Sequence, residues 1–192
     1  MKKNYLAKMK EQNIAIFLDR DGVINEEVSY LSNPDDFKFI DGSIKALKIL
    51  KKLGYLLIVI TNQAGIARGY FSEEVLQQIH QKMIKTLKAK NISLDDIYYC
   101  PHHPNYTGPC ECRKPKPGMI LDAAKRHDII LKQSYMIGDT LKDIETGYNA
   151  KCKTVLLLTG YGREEVKKID KIKPNLICEN LLDFAENLKS KS

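Results

Sequence analysis

No apolar run in this sequence approaches the ~18 residues that cross a bilayer as a helix, so a helical membrane span is not expected. The opening, MKKNYLAKMKEQ, is basic, but no apolar core or small-residue cleavage site follows it. It therefore does not read as a secretion signal, and a cytoplasmic location is expected. No internal repeat and no low-complexity tract is visible. The five cysteines are an odd number, which excludes a fully paired set of intramolecular disulfides. Proline is scarce except in one place: five of the seven lie between residues 100 and 117.

What is present is the composition of a soluble globular protein, 43% hydrophobic and 29% charged over 192 residues. That length favours one domain, 1–192, with a sizeable core. The net charge of +7 raises the question of an anionic partner. The lysines, however, are interleaved with apolar positions at helical spacing, as in KALKILKKL and HQKMIKTLKAK. They read as solvated helix faces, and no nucleic-acid partner is expected.

The chain is organised around Ile14 to Asn25, IAIFLDRDGVIN. A short apolar run broken by polar residues and glycine reads as a buried strand running into a loop. Asp19 and Asp21 would then stand at the carboxyl end of that strand, where parallel α/β folds open their ligand crevice. Asp also suits turns for its own local reasons. Two carboxylates crowded in a crevice repel unless a cation or a shared proton separates them. One can attack an electrophile while the other handles protons.

Taken in order, residues 26–39 read as a loop or small hairpin around Asn33-Pro34. Residues 41–53 have apolar positions on one helical face and stop at Gly54. Tyr55 to Ile60 is a second buried strand, followed by Thr61 and Asn62, so strand, helix and strand form a βαβ unit with a parallel sheet. A glycine-punctuated loop carries Arg68. Ser72 then caps a helix in which Val75, Ile79, Met83 and Leu87 recur every four residues, with His80 reading as a solvated helix residue. Further short strands are expected at 97–99, 135–137, 153–158 and 175–177, and helices beginning at Pro117-Gly118 and spanning 181–188. Asp139 and Asp143, four apart, are expected on one face at a helix start.

The segment 100–117, CPHHPNYTGPCECRKPKP, is unlike the rest. Its prolines lack the amide donor that helices and central strands need, so something else must hold it. Cys100-x-His102 and Cys110-x-Cys112 offer the four ligands that close a tetrahedral zinc site, with His103 as an alternative to His102. Such a zinc would be structural. Cys152 and Cys178 read as small apolar residues. Arg113 and Lys114 follow the last cysteine and arrive on the stapled loop. Acids, a strand-end hydroxyl and cations on one sheet edge suit Mg²⁺ and a phosphoryl group.

DxDG after the first strand, a strand-end Thr, a Lys before Pro, and GDxxxD resemble the four motifs of the haloacid dehalogenase (HAD) superfamily of phosphatases. DRDGVIN, TNQAGIARGYF, CPHHP, CECRKPKPGM and MIGDTLKD resemble more closely its heptose bisphosphate phosphatase branch, over roughly residues 14 to 160; the sister histidinol-phosphate phosphatases share the DRDG motif and the zinc loop. The resemblance implies a three-layer Rossmann-like fold with a central parallel sheet and no large cap domain. It implies Asp19 as nucleophile and Asp21 as general acid and base. Thr61 and Asn62 would hold the phosphoryl group and Lys114 would neutralise it. Asp19, Asp139 and the Asp21 carbonyl would hold Mg²⁺, with Asp143 beside them. Arg113 would contact a second phosphate or the sugar, and Arg68 would help shape the pocket. A monomeric enzyme removing the 7-phosphate from a sugar bisphosphate for bacterial surface polysaccharide is expected, rather than a histidinol-phosphate or nucleic-acid-end phosphatase or a non-catalytic binding protein. One position departs: Thr140 stands where some members of the branch have Lys.

Overall fold

The computed structural model describes residues 12–191; the basic opening, up to residue 11, lies outside the described residues. Among the described residues the short apolar runs form six parallel strands: β1 Ala15–Leu18, β2 Leu56–Asn62, β3 Asp96–Cys100, β4 Tyr135–Gly138, β5 Lys153–Leu157 and β6 Leu176–Cys178. They make one sheet in the order β3-β2-β1-β4-β5-β6. The amphipathic stretches form α1 Ser43–Lys52, α2 Glu73–Ala89, α3 Pro104–Thr107, α4 Gly118–His127, α5 Leu141–Asn149, α6 Gly162–Glu165 and α7 Leu181–Lys189.

The three layers follow from the period-2 alternation of strand side chains. Ile16 and Leu18 of β1, with Leu57 and Val59 of β2, face a core that includes Leu47 and Leu50 of α1, Ile79 and Met83 of α2 and Phe184 of α7. Ala15 and Phe17, with Ile58 and Ile60, face the opposite core with Ile120 and Ala123 of α4. Both faces of the central strands are covered, which is why they read as unbroken apolar runs.

Three expectations are corrected. His80 is not solvated: it is 3% exposed, on the core-facing side of α2. Its neighbours Leu76, Ile79 and Met83 are buried with it, and its Nε2 meets Arg20 Nη1 of the loop after β1 at 3.4 Å, a contact between distant residues that the polar character of histidine does not announce. Asp139 and Asp143 are not both in a helix: Asp139 directly follows β4, Thr140 is the N-cap, and only Asp143 is helical, at the third position of α5. The proline-rich segment does contain a helical turn, α3, because Pro104 occupies its first position, where the missing amide is not needed.

β1 and its two neighbours β2 and β4 are in register, with Leu18 opposite both Val59 and Ile137. The residues that follow or end these strands are therefore brought to one edge.

Candidate active site and metal-binding cluster

The Asp19 amide donates to the Ile137 carbonyl at 2.9 Å, extending the β1–β4 ladder by one residue and aiming the Asp19 side chain at the end of β4. There Asp139 lies between two glycines. Gly22 (φ +76°) and Gly160 (φ +50°) are so close that a Cβ on either would fall 2.1 or 2.0 Å from Asp139 Oδ2. The same oxygen accepts from the Tyr161 amide at 2.8 Å. Asp143 closes the group. Its Oδ2 accepts from the Thr140 hydroxyl at 2.6 Å and the Thr140 amide at 3.1 Å, while Oδ1 pairs with Lys114 Nζ at 2.6 Å. Lys114, 3% exposed, also pairs with Asp19 Oδ2 at 2.7 Å.

One carboxylate oxygen each from Asp19, Asp139 and Asp143 lies within 4.8 Å of the others. Burial pushes the Asp19 carboxyl up to about 7 against the pull of Lys114, with Asp143 adding to the rise. Burial, then Asp143 and Asp19, push Asp139 up to about 8. One lysine is not enough positive charge for three buried carboxylates, and a hard divalent cation with oxygen ligands fits the deficit. Lys114 itself is pushed up, because its carboxylate partners outweigh its burial.

Asp21 is held differently. Arg20, fully buried, donates Nε and Nη2 to Oδ1 at 3.2 and 2.9 Å and Nη2 to Oδ2 at 2.8 Å. Asn25 Nδ2 adds a bond to Oδ1 at 2.9 Å and Gln63 Nε2 one to Oδ2 at 3.1 Å. Burial alone would raise the Asp21 carboxyl, but Arg20, Asn25 and Gln63 together hold it below the usual carboxylate value. His80 lies behind the guanidinium, its Nε2 3.4 Å from Arg20 Nη1. Burial and the Arg20 charge push the imidazole down to about 3, so it is neutral. Arg20, His80, Asn25 and Gln63 are missing from the sequence-based site. An arginine inside a DRD triplet with 0% exposure has no periodicity to announce it.

The remaining expected residues divide. Asp19, Asp21, Asn62, Arg113 and Lys114 line one cleft of about 240 Å³, joined by Gln63, Tyr30, Thr140, Lys142 and Tyr161. Thr61 is buried and its hydroxyl accepts from Gln63 Nε2 at 2.9 Å. Asn62 spends its amide on the Lys114 backbone, accepting from its N–H at 3.0 Å and donating to its carbonyl at 3.2 Å. Arg68 is not among the residues lining this cleft: Nη2 meets His103 Nε2 at 2.9 Å and the guanidinium lies 5.3 Å over the Tyr106 ring.

The second cluster consists of Cys100, His102, Cys110 and Cys112, with one ligand atom of each within 4.8 Å of the rest. All three thiols are free. Cys100 Sγ lies 2.9 Å from Cys112 and 3.6 Å from Cys110, and His102 Nδ1 lies 3.4 Å from Cys112. Three thiols and an imidazole converging on one point are the donor set of a closed zinc site. His103 is turned away, its Nδ1 capping α3 by accepting from the Asn105 amide at 3.2 Å.

A HAD-hydrolase-like family model matches residues 111–184. The chain is 46% identical over 180 residues to the D-glycero-β-D-manno-heptose-1,7-bisphosphate 7-phosphatase of Pasteurella multocida, covering 91% of this chain and 96% of that one. It is 51% identical over 153 residues to the protein of the same name from Haemophilus influenzae, covering 77% and 83%. The D,D-heptose 1,7-bisphosphate phosphatase from B. bronchiseptica, crystallised with magnesium and phosphate, superposes with a TM-score of 0.88 at 36% identity, covering 93% of this chain and 99% of that one.

Proposed function

This chain belongs to the D-glycero-β-D-manno-heptose-1,7-bisphosphate 7-phosphatase family of HAD-like hydrolases, and we propose that it hydrolyses the 7-phosphate of that sugar, leaving heptose 1-phosphate. The observation that carries the reading is the Asp19–Lys114 pair, 2.7 Å apart at the bottom of a cleft that Asp21 also lines. A nucleophile, an acid/base group and a buried cation converge where a phosphoryl group would enter.

Asp19 attacks phosphorus. As the Asp19–phosphorus bond forms, the bond to the sugar oxygen breaks and that oxygen takes a proton from Asp21. A water then attacks the aspartyl-phosphate, its proton passing back to Asp21, and phosphate and free Asp19 result. The bonds from Arg20, Asn25 and Gln63 favour the ionised Asp21, the form that the second step needs. In the first step Asp21 must carry a proton, so one of its oxygens must give up a bond to that set and face the leaving group. Lys114 neutralises the phosphoryl oxygens, Thr61 offers its hydroxyl proton to them, and Asn62 locks the Lys114 backbone in place. Arg113 faces the rest of the substrate. Asp19, Asp139 and the Asp21 carbonyl would hold Mg²⁺, with Asp143 beside them fixing Lys114. When bound, the ion screens the charge that accumulates on the transferring group. Cys100, His102, Cys110 and Cys112 would hold a structural zinc that fixes the loop delivering Arg113 and Lys114.

The protein acts as a cytoplasmic monomer on a small sugar bisphosphate. No helix among the described residues is long and apolar enough to cross a membrane. The test is phosphate release with Mg²⁺ from both anomers of heptose 1,7-bisphosphate, histidinol phosphate and a 3′-phosphorylated oligonucleotide. The expected result is a preference of several hundredfold in kcat/KM for the β anomer, about 3 to 4 kcal/mol of differential transition-state binding. Comparable rates on all four would sink the heptose assignment.

A further inference from the structure

We infer that Lys142, together with Arg113, seats the phosphoryl group of the substrate that is not transferred, and that Lys142 sets the preference for a bisphosphate. The inference rests on the reading of the cleft as a sugar-bisphosphate site. Two cavities meet at these side chains. One is the cleft containing Asp19 and Asp21; the other, about 260 Å³, lies beside it against Pro104, Cys110, Pro115 and Lys116. Arg113, Lys114 and Lys142 line both, so these three stand where a substrate leaving the first cavity would meet the second.

Only two of the three cations are available to a second anion. Lys114 is buried and committed to Asp19 and Asp143. Arg68 is turned toward His103 and Tyr106. Arg113 is oriented by one bond, Nη1 to the His102 carbonyl at 3.0 Å, and the rest of its guanidinium is free of carboxylates. Among the described residues, neither Arg113 nor Lys142 has a carboxylate at ion-pair distance.

Lys142 is also in a position that the helix itself disfavours. It is the second residue of α5, where the aligned peptide dipoles put positive charge and an acid would be stabilising. The acids at that helix start are committed elsewhere: Asp143 to Thr140 and Lys114, and Glu165, whose charge reaches Lys142 without an ion pair, to the Leu141 amide and Lys168. An exposed lysine at a positive helix end, beside an unpaired arginine and facing a cleft, becomes favourable when a phosphate dianion lies between them. Thr140 brings no charge to this corner: its hydroxyl is spent on Asp143 at 2.6 Å.

The experiment measures kcat and KM for wild type, Lys142→Gln and Lys142→Arg on heptose 1,7-bisphosphate and on heptose 7-phosphate, which lacks the second phosphate. For Lys142→Gln, KM for the bisphosphate is expected to rise about tenfold to hundredfold, the scale of one lost charge-assisted contact, with kcat within about twofold. KM for heptose 7-phosphate should stay put, and Lys142→Arg should restore most of the bisphosphate KM. Equal KM increases on the two substrates, or none on either, would overturn the assignment of Lys142 while leaving the proposed function standing. A wild type that shows no preference for the bisphosphate over heptose 7-phosphate would overturn both.

Discussion

Asp19, Asp139 and Asp143 are hung from the ends of β1 and β4 and the first turn of α5, three elements locked by backbone ladders and by two apolar cores. Of the second cluster only Cys100 belongs to the sheet, as the last residue of β3, while His102, Cys110 and Cys112 are hung from a loop in which the only helix is the single turn α3. The two clusters are comparably tight, each with its ligand atoms within 4.8 Å of one another. The difference lies in what maintains them. The sheet would hold the carboxylates near one another against their repulsion, whereas only Cys100 of the thiols has the sheet's support and a shared ligand would tie the loop residues to it. The two are joined by chain: Lys114, which the carboxylates require, comes two residues after Cys112. The loop is thus placed to lend the sheet-built site its cation.

The sharpest break of that comparison is Asp19→Asn, which removes the proposed nucleophile and leaves the sheet. Phosphate release is expected to fall by about 10⁴-fold or more, with the far-UV circular dichroism and the zinc content unchanged. Residual turnover near the wild-type rate would assign the chemistry to another group. Next in size is Cys112→Ser, which removes one ligand of the loop. With zinc held as proposed, the variant should lose the metal, and activity should fall about tenfold to hundredfold through misplacement of Arg113 and Lys114, with the sheet still folded. Unchanged metal content and unchanged activity would show that the loop is not metal-held.

A smaller effect tests the clasp between the two regions. Asn62 ends β2 and holds the Lys114 backbone by both amide groups. Asn62→Ala leaves a partly buried peptide unit without partners and should cost about 1 to 3 kcal/mol in urea unfolding, with a rise in KM. If stability is lost but KM does not move, the clasp is structural only.

The sequence was most legible where chemistry and periodicity coincide. The apolar runs predicted the central strands because strands buried on both faces cannot hide, and the acids that end them marked the site's edge. The Cys-x-His and Cys-x-Cys pairs were legible because proline-rich chain has few backbone amides with which to support itself. What sequence did not disclose depends on contacts between distant residues. Asn62 reads as a phosphoryl ligand by position, yet its amide meets Lys114, 52 residues away. Arg68 reads as a pocket residue, but α3 draws it off to Tyr106. The clearest case is His80, whose burial is set by Arg20, 60 residues earlier. That Lys142 stands where two cavities meet needed the course of α5.

His80 also yields the smallest effect and the finest test of which region belongs to the sheet. Its imidazole is pushed down to about 3 in the folded protein by burial and then by Arg20, against about 6.5 when unfolded. Between those values the unfolded chain binds a proton that the folded one refuses, so this residue makes stability rise with pH, and the contribution is lost as pH falls below about 6.5. The slope is at most about 1.4 kcal/mol per pH unit for one proton. His80→Gln keeps an acceptor for Arg20 but cannot titrate. Its stability relative to wild type, from urea unfolding at pH 7, 5.5 and 4.5, should therefore shift in the variant's favour as the pH falls. A constant difference would mean that His80 takes up a proton as readily in the folded state as in the unfolded one. Because His80 supports Arg20 from α2 and touches none of the loop's ligands, the same relative slope should appear after a chelator has stripped the loop; a slope that vanished with the metal would make the two regions one cooperative unit.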